Sequence, residues 1–206
     1  MKWINCFLLC FALLVMLPDA EAEPGGNIAL IDRHWLDGDV NDIIFSGDYA
    51  YYALGDVGIA IQNITNVNEG YTAYYDTSGH ARSVAVSNDY LYVADGTAGL
   101  LVIETNENGG LIPEIDYLRS FDYGDFYAHD VAISGNYAYY ADGLGGLRII
   151  NISNPNNLVY AGGYPRNLEG ELSENYSTWE CLSVAVSGDY AYVTTYYDLL
   201  VLNVQD

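Results

Sequence analysis

The feature that most limits what this chain can become is a segment that occurs four times. IIFSGDYAYYA begins at Ile43, VAVSNDYLYVA at Val84, VAISGNYAYYA at Val131 and VAVSGDYAYVT at Val184. The marker serines Ser46, Ser87, Ser134 and Ser187 stand 41, 47 and 53 residues apart. Each copy is followed by a bend and a second apolar run: GIAIQNI from Gly58, GLLVIET from Gly99, GLRIINI from Gly146 and LLVLNV from Leu199. A unit of this size cannot bury its apolar surface alone, so its copies must stack on one another.

The pieces of one unit read as strands. A short run of Val, Ile and Ala bounded by turn residues predicts a strand buried on both faces. Gly47-Asp48, Asn88-Asp89, Gly135-Asn136 and Gly188-Asp189 supply the positive φ that a two-residue hairpin turn demands. Tyrosines then alternate: Tyr49 and Tyr51, Tyr90 and Tyr92, Tyr137 and Tyr139, Tyr190 and Tyr192. Alternation puts each pair on one face of its strand, where large amphipathic rings fill the space between units. Asp95-Gly96 and Asp142-Gly143 form the next bend, and the third strand follows. Weaker fourth strands are expected around Tyr71–Tyr75, Ile115–Phe121 and Leu158–Tyr164. No stretch sustains a helical period. Four strands per unit is the pattern of a propeller blade.

VAISGNYAYYADGLGGLRIINISNP, from Val131 to Pro155, resembles the LVIVD-repeat β-propellers, whose blades read roughly as VAVSG-x-YAYVADG followed by G-LRIIDISNP. The second and third copies carry the pattern well, and the first and fourth more loosely. The fourth lacks the Asp-Gly bend and has Thr195-Tyr196-Tyr197-Asp198 instead. The resemblance implies an exported protein with an interaction or scaffold role, and it brings no shared catalytic residues.

The chain ends bear on closure. NIALIDRHWL, Asn27–Leu36, precedes the first copy, where a fourth strand would stand, and the C-terminus stops after a third strand. Together they complete four blades, and a ring locked this way leaves no unpaired edge at its seam. The expectation is therefore all-β: a four-bladed β-propeller of four-stranded antiparallel blades, monomeric, closed by the N-terminal outer strand. The alternative is a fragment of a larger propeller, or one half of an eight-bladed ring.

Ahead of the repeats, Lys2 is followed by an apolar run from Trp3 to Leu17, broken by Pro18-Asp19 and followed by Ala20-Glu21-Ala22. The run is about 22 Å long as a helix, short of the ~30 Å hydrocarbon core. Residues 1–22 thus read as a cleaved signal peptide and 23–206 as one propeller domain, secreted or held at the cell surface. Cys6 and Cys10 leave with the signal, so only Cys181 remains and no intrachain disulfide forms. The mature chain keeps five arginines and no lysine against 26 acids. Such a surface repels nucleic acid and anionic lipid headgroups and attracts cations.

Propeller sites gather on the loops entering the innermost strands. Seven residues before the marker serines stand Asp39, His80, Tyr127 and Glu180; five before, Asn41, Arg82, His129 and Leu182; four before, Asp42, Ser83, Asp130 and Ser183. Asp39, Asp42, Asp130 and Glu180 are oxygen donors of the kind calcium takes. His80 and His129 with one carboxylate would suit zinc. The alternative is a solvated polar rim in which Arg82 pairs with Asp130 or Asp42. The loop Arg166–Glu180 carries Tyr176 and Trp179, which could stack on a sugar or a partner side chain. Asn63, Asn151 and Asn175 begin glycosylation triplets, the first two also reading as turn chemistry.

No zinc-protease, nucleophile-elbow or phosphate-loop motif is present. Cys181 aligns with Ala81 and Ala128, a small buried slot that suits packing and not catalysis. The reading is an exported binding or scaffold module for an extracellular protein or glycan. The alternative is a secreted hydrolase that uses a carboxylate pair on glycans.

Overall fold

The computed structural model describes residues 38–65, 73–105, 116–118, 126–164 and 180–205. They form four antiparallel sheets in chain order. Sheet 1 holds β1 (Asp42–Ser46), β2 (Tyr49–Ala53), β3 (Ile59–Asn63) and β4 (Ala73–Tyr75). Sheet 2 holds β5 (Ser83–Ser87), β6 (Tyr90–Ala94), β7 (Leu100–Glu104) and β8 (Asp116–Leu118). Sheet 3 holds β9 (Asp130–Ser134), β10 (Tyr137–Ala141), β11 (Leu147–Asn151) and β12 (Val159–Tyr164). Sheet 4 holds β13 (Cys181–Ser187), β14 (Tyr190–Thr195) and β15 (Leu199–Asn203). The described parts of the fourth strands fall within the stretches expected for them. The signal segment, the closing strand expected at Asn27–Leu36 and the loop residues Asn175, Tyr176 and Trp179 lie outside the described residues.

Turn chemistry sets the register. Ser46 pairs with Tyr49, Ser87 with Tyr90, Ser134 with Tyr137 and Ser187 with Tyr190, so every first hairpin has a two-residue loop. Its first central residue has positive φ in all four: 55° at Gly47, 52° at Asn88, 55° at Gly135 and 57° at Gly188. Asn is the side chain that best tolerates this region after Gly. The backbone carbonyls of Asp48, Asp89, Asn136 and Asp189 then accept from the N–H groups of Ile64, Thr105, Ile152 and Val204, at 2.7–2.8 Å. The same clasp thus ties the third strand to the first turn in every unit.

Sheets pack face to face in sequence. The forward face is the one a sheet turns to its successor, and the rear face the opposite one. Tyr51, Ala53, Ile59 and Ile61 on the forward face of sheet 1 pack on Val84, Leu91, Val93 and Ile103 on the rear of sheet 2. Ala85, Tyr92, Leu100 and Val102 meet Val131, Ala138, Tyr140 and Ile150 of sheet 3. Tyr139, Ala141 and Leu147 meet Val184, Ala191 and Val193 of sheet 4. Isolated bridges join Gly55 to Ala81, Gly96 to Ala128 and Gly143 to Cys181 across the three junctions. Cys181 is buried in the slot its alignment with alanine indicated.

The tyrosine expectation holds for three units and not for the fourth. Tyr51, Tyr92 and Tyr139 are buried between sheets, whereas Tyr190 and Tyr192 are exposed. Among the described residues two sheet faces are exposed: the forward face of sheet 4, with Tyr192, Leu199 and Val201, and the rear face of sheet 1, with Ile43, Phe45 and Tyr74.

Candidate functional site

The loops entering the innermost strands bring side chains of different sheets together along one rim. At its centre runs a chain of carboxylates and hydroxyls. Ser83 Oγ lies 2.9 Å from Asp42 Oδ2 and 2.7 Å from Asp130 Oδ1, and its single hydrogen serves one of them at a time. Asp130 Oδ2 accepts from Ser183 Oγ at 2.5 Å and from the Val184 N–H at 2.8 Å. Asp42 Oδ2 likewise accepts from the Val84 N–H at 3.0 Å. These carboxylates therefore bind an N–H in the first half of the neighbouring inner strand, a charge-assisted contact that pins adjacent sheets.

A second group sits beside it. Arg82 lies over the Tyr127 ring at 5.6 Å, and Tyr127 is tilted against His129 at 5.0 Å and 46°. His129 Nε2 stands 3.5 Å from Glu180 Oε1, close enough for attraction but without a hydrogen bond. Burial first, and the Arg82 charge second, hold the His129 pKa below the ordinary imidazole value, while Glu180 pulls it up. Arg82, expected opposite Asp130 or Asp42, is thus engaged by an aromatic ring instead. His80 Nδ1 meets Asp56 Oδ1 at 2.6 Å, and Asp39 is exposed.

The six residues read as metal ligands therefore do not converge. Asp42 and Asp130 share Ser83, His129 faces Glu180, His80 faces Asp56, and Asp39 stands apart. Among the described residues no three His, Cys, Asp or Glu side chains are placed to hold one ion. The reason is direction: apart from Asp39, each side chain turns along the rim and finds its partner on a neighbouring sheet or its entry loop. Sequence reasoning missed Asp56, which reaches His80 from a preceding bend 24 positions away. It also read Asp95 only as a bend residue. The structure buries Asp95, which accepts from Thr77 Oγ1 at 2.7 Å and from the Gly79 N–H at 2.9 Å, fixing the loop into sheet 2. Asp142 is also buried, with Arg148 Nε 3.3 Å from its Oδ2.

The triplets at Asn63 and Asn151 act as turns. Asn63 Oδ1 accepts from the N–H and hydroxyl of Thr65, and Asn151 Oδ1 from the Ser153 N–H. The Cys181 thiol is pushed up to about 12, chiefly by burial and then by Asp142, so it stays protonated and unreactive near neutrality.

The pattern of the LVIVD repeat matches residues 37–67, 78–104, 126–165 and 181–204, one stretch for each sheet. The chain belongs to the LVIVD-repeat family. No curated protein matches this LVIVD-repeat chain. Among solved structures it is similar to the computationally designed Ika4 protein at 11% identity, over 84% of this chain and 96% of that one, with a TM-score of 0.62. A functionally unknown protein from Desulfotomaculum acetoxidans DSM 771 is 17% identical over 80% of this chain and 51% of that one, with a TM-score of 0.63. The RRP9 WD40 repeats give 12% identity over 78% and 46%, with a TM-score of 0.54. These likenesses establish a propeller-like stack, and the LVIVD-repeat chain spans about half the length of the last two.

Proposed function

We propose that this LVIVD-repeat protein is an exported binding module whose four sheets belong to a closed propeller ring and present a variable rim to an extracellular protein or glycan. The observation that carries this reading is the contrast between frame and rim. Turns, clasps and junctions repeat from unit to unit, while the positions at the entry loops hold Asp39, His80, Tyr127 and Glu180, then Asn41, Arg82, His129 and Leu182. A rigid repeated frame with non-repeating loops is how folds of this kind carry recognition. Arg82 stacked on Tyr127 offers a planar, partly polar surface suited to a sugar face or a partner side chain. Among the described residues the carboxylates give no shared ligand set for calcium or zinc.

The test is saturable retention of the labelled protein on surface material of its host, with and without prior protease or periodate treatment. The reading expects retention, abolished by one treatment and weakened by Arg82→Ala or Tyr127→Ala with the fold intact. Turnover of a glycan panel that disappears in Asp130→Asn or Glu180→Gln would instead establish the hydrolase.

A further inference from the structure

The repeat defines what each sheet face expects to meet, and two faces have not met it. Ala85, Tyr92, Leu100 and Val102 on the forward face of sheet 2 are matched in register by Ala185, Tyr192, Leu199 and Val201 on sheet 4. The residue types are identical. Leu100 is 0% exposed and Leu199 64%, and Tyr92 is 1% exposed against 38% for Tyr192. At the other end, Ile43 and Phe45 occupy the positions of Val84 and Val86, which pack on sheet 1. Phe45 is 60% exposed. Val40 stands where Ala81, Ala128 and Cys181 stand, and it too is exposed.

The polar chain along the rim is open at the same two ends. Ser83 bridges an Asp on each side, and Asp130 bridges a Ser on each side. Among the described residues, Ser183 meets only Asp130, and Asp42 Oδ1 accepts only from the N–H of its chain neighbour Ile43. By the alternation Asp42, Ser83, Asp130, Ser183, the group missing beside Ser183 is an aspartate and the group missing beside Asp42 is a serine. The two open ends are complements of each other in both their apolar and their polar parts. Within one chain they do not meet.

We propose that two copies of this chain join head to tail, the forward face of sheet 4 of each packing on the rear face of sheet 1 of the other, to complete one ring of eight sheets. Each junction continues the three internal ones, with Ser183 Oγ set between Asp130 and Asp42 of the second copy as Ser83 is set between Asp42 and Asp130, its single hydrogen serving one carboxylate at a time. The bend of sheet 4 differs from the others, because Thr195 N–H closes it on the Asp198 carbonyl at 2.9 Å and leaves Tyr196 and Tyr197 exposed. These rings add area to the junction. With aromatic side chains contributing about 150–250 Å² when fully buried, the half-exposed residues of the two faces supply roughly 800 Å² per junction. Two junctions reach about 1,600 Å², the size of a stable specific interface. The contact is head to tail but closes after two copies, so it makes a ring and not a filament.

The experiment is the solution mass, by sedimentation and native mass spectrometry, of protein purified after expression of the whole chain. The expected result is twice the single-chain mass, with no larger species. Leu199→Lys and Phe45→Glu, each alone, give single-chain masses with unchanged β-sheet circular dichroism. Mixed in equal amounts they regain the doubled mass, since one junction is native and the other carries opposite charges. A single-chain mass for the unaltered protein at high concentration would overturn the proposal, whether its ends close on each other or await a different partner. Doubling that survives Phe45→Glu but not Leu199→Lys would overturn it in favour of pairing between two sheet 4 faces. Because this readout is mass and not ligand retention, its failure is separable from failure of the proposed function.

Discussion

The forward faces of sheets 2 and 4 carry the same four residues at the same register, yet only one is covered. On sheet 2 the alanine, tyrosine, leucine and valine form part of a core with Val131, Tyr140 and Ile150. On sheet 4 their equivalents face solvent in the single chain. Local sequence therefore sets the shape and polarity of a face, while its burial depends on whether another sheet follows it.

The largest test of that comparison is a pair of leucines. Leu100→Ala should lower folding stability by about 2–5 kcal/mol in urea titrations, through lost transfer energy and a residual cavity. Leu199→Ala should fall within about 0.5 kcal/mol at low protein concentration. If two copies pair as proposed, its effect should grow as concentration rises, because mass action then stabilises the unaltered face and the variant loses part of that gain. Equal, concentration-independent losses at both positions would show that Leu199 is buried within its own chain.

Glycines give a second contrast. Gly188 has φ 57° with nothing within 4 Å of an added Cβ, so Gly188→Ala should cost about 1–2 kcal/mol from backbone conformation alone. Gly58 has φ 89°, and its Cβ would stand 2.2 Å from the Tyr75 carbonyl oxygen. Gly58→Ala should cost clearly more, because β3 and β4 must part. Thermal midpoints of the two variants check this. Next in size, Asp95→Ala should cost about 1–3 kcal/mol by leaving the Thr77 hydroxyl and the Gly79 N–H without their acceptor. Among the described residues Thr195, at the equivalent position in sheet 4, bonds within its own bend, and Thr195→Ala should cost less.

The smallest effect concerns pH. His129 takes a proton less readily folded than unfolded, so the unfolded chain binds more protons below the ordinary value of about 6.5. Its contribution to stability is complete above that value and is lost as pH falls through it. The slope of stability between pH 8 and 5 should be shallower in His129→Gln than in the unaltered protein. An unchanged slope would show that His129 is solvated and not held between Arg82, Tyr127 and Glu180.

Much of the frame was legible because its signals are local. A positive φ at Gly47 or Asn88 is demanded by a two-residue turn, and alternating tyrosines announce a strand face, whatever lies around them. The Asn63 and Asn151 turns were readable for the same reason. The rim was legible only as a set of positions. Alignment placed His80 and His129 at equivalent edges of their sheets, but direction and partner came from elsewhere: Asp56 from a preceding bend, Tyr127 from the same entry loop as His129, Glu180 from the next sheet. Side-chain direction depends on packing between units, which no spacing within a unit encodes.

By itself, then, the sequence determined four all-β units, their two-residue turns, the small slot for Cys181 and the acidic surface. Each of these follows from backbone sterics, side-chain volume or formal charge. Only the tertiary structure decided that the expected metal ligands do not gather into one set among the described residues, that Asp95 is buried and satisfied, and that identical faces on sheets 2 and 4 differ in exposure. Those outcomes depend on what approaches a residue through space, which no spacing within a unit encodes.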